Sequence, residues 1–169
     1  MNFESCLIVI FLCENEVNMN SSICIADENC VDDLVLLLKS LFTQEAEFCF
    51  DAEAQRKGLL AILTAPSVGT IFVIKENEKI VGMVSLLYTV STALGGRVAL
   101  LEDMVIEKSS RKKGYGRMLL KACLRYAKEN GCLRLTLLTD RDNDVAIEFY
   151  ESEGFRRSPM VPLRLVYGS

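Results

Sequence analysis

The sequence predicts a mixed α/β domain in which helices and strands interleave, with three antiparallel strands in its middle. Three observations predict it. The chain has 169 residues, 50% of them hydrophobic and 25% charged, the length and balance of one globular domain with a single core. Its apolar residues change period along the chain, from helical spacing to β-branched runs and back. No internal repeat or low-complexity linker divides it.

The domain pattern starts near Ser22, so residues 21–169 read as one domain and residues 1–20 as an extension of uncertain role. The apolar run Cys6–Cys13 is far shorter than the ~20 residues that a bilayer span needs. With Glu4 ahead of it and no small-residue cleavage site before Glu14 and Glu16, it does not fit a secretory signal either. The expected location is cytoplasmic.

Ile23-Cys24-Ile25 reads as a short strand, and Asp27 is a candidate helix cap before a stripe of Val31, Leu34, Val35, Leu38, Leu41 and Phe42. A second helix is expected from Asp51 to about Leu63, closed by Pro66 and Gly69. Thr70–Ile74 and Lys79–Val90 form a hairpin through the polar turn Glu76-Asn77-Glu78. Gly95-Gly96 turns the chain into a strand over Arg97–Ile106, which carries Glu102 and Asp103 in its middle. A cationic loop, Lys108–Gly114, opens a long helix to about Glu129, stopped by Asn130-Gly131. Leu133–Leu138 is expected as a buried strand and Asp142–Glu151 as a short helix ended by Gly154. Phe155–Arg157 and Pro162–Tyr167 are expected to supply the last strands.

Composition excludes several chemistries. With no histidine, Ser-His-Asp and Cys-His catalysis, histidine bases and histidine-ligated zinc are absent. The seven cysteines, Cys6, Cys13, Cys24, Cys30, Cys49, Cys123 and Cys132, are odd in number and contain no C-x-x-C pair, so reduced, buried thiols fit better than disulfides or a zinc site. No metal is expected. A net charge of −4 argues against a general nucleic-acid binder.

In Arg111-Lys112-Lys113-Gly114-Tyr115-Gly116-Arg117, two glycines stand at a strand-to-helix junction among four cations. Glycine lets backbone N–H groups approach a ligand closely, and a helix N-terminus adds partial positive charge, so the junction suits phosphate. A solvated charge run beside a tight turn is the plainer alternative. A dinucleotide fingerprint fails because its third glycine would fall on Leu119, and a Walker loop fails because no Gly-Lys-Ser/Thr follows Gly114. Asp140-Arg141-Asp142-Asn143-Asp144 with Glu151 imitates a calcium loop, but β-branched Val145 stands where that loop needs glycine. Capping of a helix by these acids fits better.

Together these residues resemble the GNAT superfamily of N-acetyltransferases. Its acetyl-CoA loop, Gln/Arg-x-x-Gly-x-Gly/Ala, is matched by Arg111, Gly114 and Gly116. A second motif, Asn-x-x-Ala-x-x-Phe-Tyr-x-x-x-Gly-Phe, is matched by Asn143, Ala146, Phe149, Tyr150, Gly154 and Phe155. The resemblance covers about Ser22–Tyr167. It implies a GNAT-type fold: a mostly antiparallel sheet flanked by about four helices, whose Arg97–Ile106 and Leu133–Leu138 strands run parallel and splay apart around the pantetheine arm. It implies acetyl-CoA as cosubstrate, with backbone groups of Met104, Val105 and Ile106 on the pantetheine. The N–H groups of Lys113, Gly114, Tyr115, Gly116 and Arg117 would sit on the pyrophosphate within the cationic loop of Arg111 and Lys112, and Asn143 would touch the cofactor.

It further implies that Tyr150 protonates the departing thiolate; the plainer reading is a core aromatic beside Phe149. Glu102 and Asp103 are adjacent on a strand, so their side chains face opposite ways unless a bulge intervenes. A carboxylate buried in a strand is costly without a partner. Glu102 is the expected base, directly or through water, and Asp103 a holder of a cationic acceptor; pairing of both acids with arginines is the alternative. The pair also resembles one in the polyamine and glucosamine-phosphate acetyltransferases of the superfamily. Residues 1–100 hold 6 basic and 13 acidic residues, net −7, and residues 101–169 hold 13 and 10, net +3, which favours a small cationic amine as acceptor. The expected partner is therefore that amine, with no nucleic acid and no membrane, and a homodimer stays open. A non-catalytic acyl-CoA sensor and an acetyltransferase for protein termini or lysines are the alternatives.

Overall fold

The computed structural model describes residues 20–43 and 50–167; the run Cys6–Cys13 and Cys49 lie outside them. The described residues divide into two compact units after Leu138.

In the first unit, strands β1 (Ser21–Ile25), β2 (Gly69–Glu76), β3 (Lys79–Ser91), β4 (Gly96–Ile106) and β5 (Leu135–Leu137) form one sheet in sequence order. The first four are antiparallel and β4 pairs β5 in parallel. The turn between β2 and β3 puts Asn77 and Glu78 at φ 50° and 63°, the left-handed pair that matches the twist of a two-residue hairpin.

Helices α1 (Val31–Phe42) and α2 (Ala52–Leu63) follow β1. Asp27 caps a single 3₁₀ turn, Glu28–Cys30, ahead of α1, while Asp51 caps α2 by accepting from the N–H groups of Glu53 and Ala54. The apolar stripe of α1, including Leu34 and Leu38, packs with Ile71, Val73, Met83 and Val105. Helix α3 (Tyr115–Glu129) buries Leu119, Leu120 and Cys123, and its Tyr126 ring meets Phe72 edge-on at 5.1 Å. Alternate residues of β2 thus serve two different layers, which is why the strand is a continuous apolar run. Leu34 and Leu119 are fully buried, and truncating either to alanine would cost about 2–5 kcal/mol.

The strand expected over Leu133–Leu138 is shorter and less buried than its pattern suggests. Only Leu135–Leu137 form the strand, although the Leu133 N–H still donates to the Arg97 carbonyl at 2.8 Å, and Leu133 and Leu138 are exposed. An apolar run cannot by itself say where a strand's partner ends.

The second unit contains α4 (Asp144–Ser152). Its N-cap is Asn143, whose Oδ1 accepts from the Ala146 N–H at 3.1 Å, rather than one of the neighbouring acids. At its other end Gly154 has φ 97°, the Gly154 N–H donates to Glu151 and the Phe155 N–H to Tyr150, both at 3.1 Å. This left-handed cap brings the Phe155 ring edge-on to Tyr150 at 5.6 Å. Phe155–Arg157 and Pro162–Tyr167 form no strand, against expectation. Phe155 is drawn into the helix cap, Arg157 pairs with Glu151 at 2.8 Å, and Pro162 has no N–H to give a ladder.

Candidate active site

The first unit brings the end of β4 directly into the glycine loop. Pairing of β4 with β5 covers only Ala99–Leu101 against Leu135–Leu137. Strand β4 runs on to Ile106 along an edge that no described part of β5 accompanies. A parallel pair that parts company in this way offers backbone groups to an extended ligand.

At that divergence the strand is bulged. Met83 opposes Val105 and Ser85 opposes Glu102, so the single residue Val84 faces both Asp103 and Met104. Asp103 takes up the extra length at φ 52°, a left-handed conformation that aspartate tolerates better than most residues. Fully buried Ser85 fixes the bulge: its hydroxyl donates to the Glu102 carbonyl at 3.0 Å and lies 3.4 Å from Asp103 Oδ2. The simple alternation expected for Glu102 and Asp103 therefore does not hold. Glu102 is exposed and Asp103 half-buried, so the cost of burying a carboxylate does not apply to Glu102.

After Ile106 the chain makes a 3₁₀ turn, Lys108–Ser110, and then the glycine loop. Lys112 and Gly114 have φ 63° and 82°, with Lys113 between them on the ordinary side. Such alternation turns successive N–H groups toward one concave side, where an anion is held. Gly114 is the N-cap of α3 and, lacking a side chain, leaves the first turn without side-chain capping. Gly116 is different. A Cβ added there would meet only Met104 Cε at 3.7 Å and Ile106 Cγ1 at 3.8 Å, ordinary contacts, so packing within the chain does not require glycine. Its bareness leaves room for a ligand between the helix N-terminus and the end of β4. The bare glycine, the anion-holding curve and the parting strands fit a pyrophosphate with an extended arm.

The loop's cations have separate employments. Arg111 donates Nε to the Ile106 carbonyl at 3.0 Å, closing the loop on the strand it leaves. Lys113 Nζ lies 2.8 and 3.0 Å from the two oxygens of Glu76. The same carboxylate accepts from Tyr115 at 2.7 Å and from Ser110 at 3.0 Å. Lys113, then Tyr115, hold the Glu76 carboxyl well below its ordinary range, down to about 2. Glu76 and Ser85 are the residues that sequence reasoning missed.

In the second unit, Tyr150 is half-buried between Phe149 at 5.2 Å and Phe155. Asn143 has its side-chain oxygen committed to the α4 cap. Burial pushes the Cys123 thiol up to about 12, and burial likewise raises Cys30 and Cys132. These are poor nucleophiles, in keeping with reduced structural thiols.

Residues 34–155 match the model of the acetyltransferase (GNAT) family. The chain belongs to the GNAT acetyltransferase family. Among GNAT relatives it is 34% identical over 118 residues to the uncharacterized N-acetyltransferase YhfO of Bacillus subtilis (strain 168), covering 68% of this chain and 78% of that protein. It is 31% identical over 90 residues to glucosamine 6-phosphate N-acetyltransferase of Trypanosoma brucei brucei, covering 53% of this chain and 59% of the relative. With N-alpha-acetyltransferase 30 of Schizosaccharomyces pombe it shares 35% identity over 88 residues, 51% of this chain and 57% of the relative. The matches to these last two thus span less than two thirds of their lengths. A possible acetyltransferase from Clostridium difficile 630 has the same fold, with a TM-score of 0.77 at 18% identity over 88% of this chain and 99% of that one. The chain is thus a GNAT-type acetyltransferase with a mixed sheet and a diverging parallel pair, as the resemblance implied.

Proposed function

We propose that this GNAT enzyme transfers the acetyl group of acetyl-CoA directly to a primary amine of a small cationic acceptor. The observation that carries the cofactor assignment is Gly116, a helical glycine at which an added Cβ would meet only ordinary contacts within the chain. The N–H groups from Lys113 to Arg117 hold the pyrophosphate, with Lys112 adding charge. Backbone groups of Met104, Val105 and Ile106 hold the pantetheine along the stretch of β4 beyond its ladder with β5, where a strand amide near Val105 serves the developing oxyanion. Asn143 is kept as a cofactor contact through its amide nitrogen, since its oxygen caps the helix.

The amine nitrogen attacks the thioester carbonyl carbon, the C–S bond breaks, one proton leaves the amine and one reaches the sulfur. Glu102, exposed beside the bulge, takes the amine proton directly or through water. Asp103, held by Ser85, attracts the cationic acceptor. Tyr150 gives its proton to the thiolate; a phenol with a reference pKa near ~10 is protonated at neutral pH. Its place in the second motif and its aromatic seat support that role.

The net −7 of residues 1–100 supports a cationic acceptor. Two of the relatives are named for different acceptors, one for glucosamine 6-phosphate and one as an N-alpha-acetyltransferase, which keeps protein termini as a second reading. A CoA-thiol release assay over polyamines, aminosugar phosphates and peptides with free N-termini tests this. Turnover is expected with small cationic amines; turnover only with peptides selects the second reading. Tight acetyl-CoA binding with no release from any amine selects a sensor.

A further inference from the structure

Building on the cofactor site above, we propose that Glu76 is a positioning residue for acetyl-CoA binding: from the end of β2 it clamps the glycine loop in its cofactor-holding shape through Ser110, Lys113 and Tyr115. It does so without touching the cofactor itself. The three donors come from the 3₁₀ turn, the loop and the first residue of α3, so one carboxylate fastens every part of the segment. Ser110 and Tyr115 are buried at 2% exposure each, and the carboxylate is their anchor across 34 and 39 residues of sequence. A second clamp from the same hairpin holds the loop's start, where Lys79 Nζ reaches both Glu107 oxygens at 2.9 Å.

The loop needs such a clamp. Lys112 is a non-glycine residue at φ 63°, a conformation that persists only when its surroundings impose it. The contacts that bracket Lys112, from Ser110 on one side and Lys113 on the other, both end on Glu76. It follows that the Lys113 ammonium is already engaged and that its backbone, rather than its charge, serves the pyrophosphate. With its carboxyl held at about 2, Glu76 keeps the clamp ionised at neutral pH.

The sign of one effect separates positioning from charge. A carboxylate near a polyphosphate site repels the ligand, so on electrostatics alone its removal tightens binding. Positioning demands the reverse. Calorimetry with acetyl-CoA on the full chain is expected to give Glu76→Ala a Kd raised at least tenfold, with KM for acetyl-CoA rising more than kcat falls. Glu76→Gln, which keeps an acceptor for the hydroxyls, is expected to lie between, and Tyr115→Phe to weaken binding several-fold. A Kd that is unchanged or lower in Glu76→Ala overturns the proposal, as does a fall in kcat alone. If Glu76→Ala does not fold, Glu76→Gln and Tyr115→Phe carry the same comparison. Amide hydrogen exchange over residues 111–117 of the ligand-free protein reads the clamp without the cofactor: faster exchange by tenfold or more in Glu76→Gln supports it, and unchanged exchange overturns it. Should the wild-type chain fail to bind acetyl-CoA, the cofactor reading falls while that exchange result still decides whether Glu76 holds the loop.

Discussion

Replacing Gly116 by alanine separates the needs of the fold from the needs of the ligand. The added Cβ meets Met104 and Ile106 at 3.7 and 3.8 Å, so it costs nothing in packing. Within a helix, alanine is favoured over glycine by about 0.5–1 kcal/mol. For a chain of this size that raises Tm by roughly 1–4 °C. The same methyl projects toward the end of β4, where, in the proposed binding mode, it would hold the pyrophosphate off the α3 N–H groups. Loss of even one charge-assisted hydrogen bond, about 1.5–3 kcal/mol, weakens binding roughly 10- to 150-fold. Thermal unfolding and acetyl-CoA calorimetry on one preparation make the comparison. Gly58→Ala is the control, because an added Cβ at that helical position meets nothing within 4 Å; it is expected to gain similar stability with unchanged affinity. Gly116→Ala that binds acetyl-CoA as the wild type does would refute the loop assignment, whatever its Tm.

Other expectations follow from the same geometry. Tyr150→Phe is expected to lower kcat while sparing acetyl-CoA affinity, and steady-state kinetics with unchanged kcat would remove Tyr150 from the acid role. Ser85→Ala removes a fully buried donor to the Glu102 carbonyl, costing about 1 kcal/mol of stability; kcat should fall several-fold, and a purely thermal effect would deny the bulge a chemical role. The Glu76 carboxyl, held at about 2 against a usual 4.5, binds protons in the unfolded chain before the folded one. Its contribution is therefore complete above pH 4.5 and lost as the pH falls toward 2. Acid titration of unfolding should show the advantage of the wild type over Glu76→Gln shrinking across that window, and an advantage constant with pH would contradict the assignment.

Much of this was legible in the sequence because it is written locally. The stripe of α1, the Asp51 cap, the Asn77-Glu78 turn and the glycine loop each depend on neighbours within a few residues. The motif pair Tyr150 and Phe155 is likewise local, and the structure gives Gly154-Phe155 a physical reason as a helix cap. What was not legible depends on distant partners. The bulge at Asp103 exists only through its register against Ser85, and Glu76 looked like one more polar residue of a turn. Its partners lie 34 to 39 residues away, with no sequence spacing to mark them. Pro162–Tyr167 failed as a strand for the complementary reason, since β propensity expresses itself only where an edge is there to pair with.

In the proposed complex the loop after β4 holds the pyrophosphate while the bulge at Asp103 presents the thioester to an amine. A crystal structure of the chain with acetyl-CoA tests it most directly. Pyrophosphate oxygens are expected within hydrogen-bonding distance of the N–H groups from Lys113 to Arg117, with Glu76 still bound to Lys113 and the acetyl group beside Glu102 and Asp103. A cofactor whose pyrophosphate lies away from this loop, or whose acetyl group points away from the bulge, would contradict it.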